Sequence, residues 1–157
     1  MIFNNSQPIL LVEDSPEDAE ATLRAFKKAG MGNTIYHCLN GDDALDYLRQ
    51  QGPYAAPGAA PRPSMILLDL NMPGTDGREV LSEIKKDPEL CQIPVIVLTT
   101  SADERDIAGC YSAGANSYIQ KPVDMKGFLE SIQRDAVSFS LNRSETKTLD
   151  LKVAQGR

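Results

Sequence analysis

At 157 residues, with 41% hydrophobic and 24% charged residues, the chain is long enough for one hydrophobic core and too short for two ordinary domains. Its formal net charge of −6 opposes contact with nucleic acid or an anionic membrane surface, so neither is expected as a direct partner. Cys38, Cys91 and Cys110 are too dispersed for a disulfide framework or a zinc site and fit a reducing cytoplasm. The first eight residues have neither a basic nor an apolar signal region, and no apolar stretch approaches the ~20 residues that span a bilayer. A soluble, cytoplasmic protein is expected.

Residues 9–12, Ile-Leu-Leu-Val, form a short continuous apolar run without alternation, which predicts a strand covered on both faces. Ser15-Pro16-Glu17-Asp18 then supplies an N-cap, a proline in the first turn and two early acids. A helix follows, with Ala19, Leu23 and Phe26 inward and Gly30 as its stop. A weaker strand is predicted over 34–39. Asn40 caps a shorter helix carrying Ala44, Leu45 and Leu48. Residues 52–63 hold four Pro, two Gly and four Ala and read as an exposed loop.

Residues 65–68, Met-Ile-Leu-Leu, repeat the buried-strand pattern. Asp76 and Glu79 have capping-box spacing before Val80, Leu81 and Ile84. A third buried strand covers 95–98. Ser101 and Glu104 again have capping-box spacing, before Ile107 and Tyr111. A short strand covers 117–119, and a last helix from Met125 places Leu129, Ile132, Ala136 and Phe139 on one face. The segment from Arg143 is polar, carries four basic and two acidic residues, and is expected to be a flexible tail. Residues 7–140 would form the domain and 141–157 the tail.

Five strands alternating with five helices, joined by short connections, imply an α/β fold. The expected architecture is a five-stranded parallel sheet, doubly wound in the flavodoxin-like manner, because a closed barrel needs eight units. In such sheets sites form beyond the carboxyl ends of the strands. Glu13 and Asp14 follow the first strand, Asp69 the third and Thr99 the fourth, while Gln120 and Lys121 follow the fifth. Carboxylates, a hydroxyl and an ammonium on one rim are the chemistry of a phosphoryl site. The acids would hold Mg²⁺, an Asp would accept the phosphoryl group as an acyl phosphate, and Lys and Thr would grip its oxygens.

Each residue alone has a plainer role. Asp14 could be a helix cap, Thr99 a strand-end hydroxyl, and Lys121-Pro122 a turn. Asp69 resists that reduction, because Asn71-Met72-Pro73-Gly74 follows it and capping falls to Asp76. The joint appearance at successive strand ends favours chemistry.

With those residues placed, the chain resembles the receiver domains of two-component response regulators over residues 7–140. The resemblance rests on four segments: Leu-Val-Glu13-Asp14, Leu-Leu-Asp69-Leu-Asn-Met-Pro73-Gly-Thr-Asp-Gly77, Val-Leu-Thr99-Thr-Ser, and Ala-Asn-Ser-Tyr118-Ile-Gln-Lys121-Pro122. It implies that Asp69 accepts a phosphoryl group from a sensor histidine kinase. Mg²⁺ would be held by Glu13, Asp14, Asp69 and the backbone carbonyl of Asn71. Lys121 would pair with carboxylate or phosphoryl oxygens, Thr99 would bond to the phosphoryl group, and Tyr118 would be the aromatic that turns inward as Thr99 moves. The Lys121–Pro122 bond would be cis.

After Ser140 only 17 residues remain, too few for a helix-turn-helix module. A stand-alone regulator is therefore expected, with output through a protein partner or a change in self-association. The wording of the motifs is similar to single-domain regulators paired with bacteriophytochrome kinases, some of which dimerise through the last helices, so a homodimer of that kind is a candidate. The alternatives are a phosphorylation-independent interaction scaffold, an aspartyl phosphatase and a flavodoxin-like nucleotide binder. A phosphatase would want a second Asp where Asn71 stands. The Glu13-Asp14-Ser15-Pro16 turn has no glycine for a bound phosphate, and a scaffold would usually have lost an acid, the acceptor or the Lys.

Overall fold

The computed structural model describes residues 7–100, 103–121 and 126–127. In chain order the elements are β1 (Ile9–Val12), α1 (Pro16–Lys28), β2 (Ile35–Cys38), α2 (Gly41–Arg49), a 3₁₀ turn (Gly52–Tyr54), β3 (Met65–Asp69), α3 (Gly77–Lys86), β4 (Val95–Thr99), α4 (Glu104–Ser112) and β5 (Ser117–Gln120). The strands are all parallel in the order β2-β1-β3-β4-β5. The chain leaves β1 for one edge and returns to β3 on its other side, so the switch point lies between the carboxyl ends of β1 and β3. The expected α/β sheet is therefore the observed one.

The three central strands are buried at every position. Each of the large apolar side chains in them contributes about 1.5–3 kcal/mol by leaving water. That burial is what fixes the strand ends relative to one another. The caps behave as the spacing requires: Ser15, Asn40 and Asp76 each accept from the first turn of their helix, and Asp76 with Glu79 closes a full capping box.

Two expectations need correction. On α1 the buried face is Ala19, Thr22 and Phe26, while Leu23 is 38% exposed and lines a shallow surface groove with Phe26, Met31 and Ile35. Thr22 tolerates burial because its hydroxyl donates to Asp18 O at 3.0 Å. The cap of α4 is Asp103, which accepts from Arg105 N, two positions beyond the expected Ser101; Ser101 itself lies outside the described residues.

The segment 52–63 is exposed at most of its positions, as expected, and is anchored through Tyr54, Ala60 and Pro61. Tyr54 packs edge-on against Tyr47, with ring centroids 5.2 Å apart, and donates to both oxygens of Asp43 at 3.0 Å. Tyr47 donates to Pro61 O at 2.8 Å, Gln50 Nε2 donates to Ala60 O at 3.0 Å, and Ala60 is buried. The segment is clasped onto α2. The last helix after Met125, the Lys121–Pro122 geometry and the tail lie outside the described residues, apart from helical Lys126 and Gly127. No described helix is long and apolar enough to cross a membrane.

Candidate functional site

The carboxyl ends of β1, β3, β4 and β5 bring together all the side chains that the sequence singled out on that rim. Glu13 follows β1 and is fully buried; Asp69 ends β3 and Thr99 ends β4, both almost fully buried; Asp14 is half-buried. Lys121 follows β5, and its backbone N–H donates to Thr99 O at 2.7 Å, so pairing with β4 aims its side chain over the rim. Gly77 at the start of α3 is a geometric condition of the site. A Cβ there would overlap the backbone carbonyl of Asp69 and the Cα of Leu70, and only glycine lets α3 begin directly against the turn that follows Asp69.

Lys121 Nζ lies 2.7 Å from Glu13 Oε1, 3.1 Å from Asp18 Oδ2 and 3.4 Å from Asp69 Oδ1. The Glu13 contact is an ion pair without hydrogen-bond alignment, because buried Glu13 Oε1 receives no hydrogen bond. Glu13 Oε2 accepts from Ser15 N at 3.3 Å. Asp69 Oδ1 accepts from Asn71 N at 3.3 Å, and Asn71 Nδ2 donates to Thr99 Oγ1 at 3.2 Å.

Four carboxylates, Glu13, Asp14, Asp18 and Asp69, around one ammonium leave the site short of positive charge. Burial pushes the Asp69 carboxyl up to about 7, and the contact with Glu13 adds to the rise, while Lys121 opposes it. Burial also works against the Lys121 ammonium, but contact with Glu13 and Asp18 and the charge of Asp69 outweigh it, so its shift is upward. Glu13, Asp14 and Asp69 each place one carboxylate oxygen within 4.8 Å of the others. An all-oxygen donor set, under-neutralised and holding a buried oxygen without a hydrogen bond, fits a hard divalent cation.

Tyr118 on β5, paired with Val97 in register, packs against the central core. Its hydroxyl is buried without a hydrogen-bond partner. Burial first, and then Cys110 and Asp106, raise its pKa.

Two residues at this rim were not anticipated. His37 Nε2 lies 2.7 Å from Glu13 O, an edge-strand ring bracing the turn that carries the acid pair. Asp18 reaches Lys121 across 103 positions of sequence. Only its place as an acid in the first turn of α1 hinted at an electrostatic role.

The sequence matches the family described as "Response regulator receiver domain" over residues 9–133. It is 42% identical over 130 residues to Response regulator Rcp1 of Synechocystis sp., covering 83% of this chain and 86% of that protein. Among solved structures, the bacteriophytochrome response regulator AtBRR superposes with a TM-score of 0.77 at 38% identity, covering 91% of this chain and 99% of that one. The Mn²⁺-bound form of Rcp1 superposes with a TM-score of 0.69 at 37% identity, covering 91% and 99% of the two chains.

Proposed function

The chain belongs to the response regulator receiver domain family, and from that premise we propose that Asp69 accepts a phosphoryl group from a sensor histidine kinase. The observation that carries this assignment is the placement of Asp69. It is a nearly buried carboxylate at the end of β3, 3.4 Å from Lys121 Nζ and within one oxygen cluster with Glu13 and Asp14. In the transfer, an Asp69 oxygen attacks phosphorus, the phosphorus–nitrogen bond to the kinase histidine breaks, and the nitrogen keeps the electron pair and takes up a proton. The product is an acyl phosphate.

Glu13, Asp14, Asp69 and the backbone carbonyl of Asn71 are the groups that would hold the cation, which we take to be Mg²⁺; the Mn²⁺-bound form of Rcp1 supports a divalent ion at such a site. When bound, the ion offsets the negative charge that builds between carboxylate and phosphoryl oxygens. Lys121 supplies a second positive charge to those oxygens. Thr99 exchanges its contact with Asn71 for the phosphoryl group, and Tyr118 with the face of α4 and β5 reports the change. This is a population shift between two packings, biased by differential contacts to the phosphoryl group.

Residues 7–140 are assigned to the receiver domain and 141–157 to a tail. The similarity to the bacteriophytochrome response regulator AtBRR supports a phytochrome-type kinase as the phosphoryl source; to this the proposal adds a cytoplasmic setting and output through this domain's own surface, with a homodimer through the last helices as one form. The domain assists its own phosphorylation and dephosphorylation rather than turning over an outside substrate. The test is intact mass after incubation with acetyl phosphate and Mg²⁺. One added phosphoryl group on the wild type and none on Asp69→Asn is expected; a gain that survives the substitution would remove Asp69 from the role. Solution mass with and without phosphorylation tests the homodimer.

A further inference from the structure

Lys121 is shared among three carboxylates, and only two of them belong to the cluster suited to a cation. The third, Asp18, sits in the first turn of α1, half exposed, with Oδ2 3.1 Å from Lys121 Nζ. We propose that Asp18 is a positioning residue that holds the Lys121 ammonium on the α1 side of the site until a phosphoryl group on Asp69 draws it away. The proposal rests on the assignment of Asp69 as acceptor and adds a control on the lysine that serves it.

Local structure frees Asp18 for this task. An acid three residues after a helix cap commonly reaches back to the cap's own N–H. Here that N–H, on Ser15, is bound to Glu13 Oε2 at 3.3 Å, while Ser15 Oγ accepts from Asp18 N at 3.2 Å. The Asp18 backbone is fixed by the cap, and its carboxylate faces Lys121.

Competition then follows from charge. An ammonium has three N–H donors, and Asp69 is the most distant of its three acidic neighbours here, at 3.4 Å against 2.7 Å for Glu13 and 3.1 Å for Asp18. A cation shared by Glu13, Asp14 and Asp69 weakens the pull of Glu13 and Asp69 on Lys121. Asp18 lies outside that set and keeps its full charge. In the cation-loaded state, which receives the phosphoryl group, Asp18 is the strongest of the three claimants on the lysine. Removing its charge releases Lys121 toward the incoming phosphoryl oxygens.

The experiment follows phosphorylation by acetyl phosphate with Mg²⁺ at low ionic strength, by intact mass, in the full chain. Asp18→Asn is expected to be phosphorylated about two- to five-fold faster than wild type, the range of a partly exposed ion pair. Asp18→Glu, which keeps the charge, is expected to return toward the wild-type rate, and Asp18→Asn in a Lys121→Ala background to add nothing. An unchanged rate in Asp18→Asn, or an acceleration that persists without Lys121, would overturn the proposal. So would a loss of about tenfold or more in Mn²⁺ affinity, the scale expected of a residue that supports the metal. Phosphorylation that survives Asp69→Asn is a different failure: it overturns the acceptor assignment and this proposal with it.

Discussion

The rim beyond β1, β3 and β5 and the clasp between α2 and the segment 52–63 both bury polar groups against the same core, and they treat charge in opposite ways. In the clasp, Asp43 accepts the Tyr54 hydroxyl on both oxygens, the Tyr47 hydroxyl is bound to Pro61 O, and the Cys38 thiol beneath them is pushed up to about 12 by burial and by the nearby charge of Asp43. At the rim, four carboxylates confront one ammonium, Glu13 Oε1 is buried in an ion pair without a hydrogen bond, and burial pushes the Asp69 carboxyl up to about 7. Polar groups buried for structure come paired, and those buried for chemistry come in excess of one sign.

The largest effect is expected where the rim's geometry is tightest. Exchanging a helical glycine for alanine ordinarily stabilises by about 1 kcal/mol. At Gly77 the new Cβ meets the backbone of Asp69 and Leu70, which cannot step aside like a flexible side chain. Gly77→Ala is expected to cost about 3 kcal/mol in urea unfolding, with slower phosphorylation; an alanine that stabilises would show that α3 does not press on the Asp69 turn.

The second effect has the opposite sign. The Asp69 carboxyl loses its proton near 3.8 in the unfolded chain and near 7 in the fold. The folded state therefore holds the extra proton between those values, and cation-free stability falls as pH rises from about 4 to about 7. Asp69→Asn is expected to flatten that slope and to stabilise the cation-free chain by about 2 kcal/mol at pH 8. Adding Mg²⁺ to the wild type is expected to recover part of the difference. A destabilised Asp69→Asn protein at pH 8 would mean that the carboxylates are better compensated than their geometry indicates.

The smallest effect belongs to the clasp. Tyr54→Phe removes a satisfied hydrogen bond to Asp43 and is expected to cost about 1 kcal/mol in urea unfolding, while the rate of phosphorylation stays at the wild-type value. A change in that rate would show that the two regions are not chemically independent.

Much of the rim was legible in sequence because the fold simplifies it. Once 9–12, 65–68 and 95–98 read as doubly buried parallel strands, Glu13, Asp69 and Thr99 had to emerge on the same side, and Lys121 joined them through the short fifth strand. The cap residues Ser15, Asn40 and Asp76 act within a few positions of themselves, so their spacing sufficed. Asp18 and His37 escaped because their partners are chosen by tertiary approach. An acid in a helix's first turn has an adequate local reason to be there, and a histidine on an edge strand has none that points to Glu13. Composition indicated the exposed loop at 52–63 but not its anchors, because Tyr47 of α2 and Tyr54 within the segment find their partners by tertiary approach. Leu23 and Thr22 exchanged places because helical spacing alone leaves about one residue of freedom in the direction of the buried face.

Helix α2 serves both regions at once. At its first residue, Gly41, a side chain would overlap Thr75 O, in the loop that follows Asp69, and Asp42 accepts the Thr75 hydroxyl at 2.7 Å. Toward its other end, Tyr47 and Gln50 grip Pro61 and Ala60. Each residue added to or removed from a helix swings one end relative to the other by about 100°. Residues 55–59, lying between the anchors, can change in number while both grips survive, but the nine residues of α2 cannot. The helix is a gauge block: its length sets the span between the two regions, and related chains that keep both are expected to vary in the segment and not in the gauge.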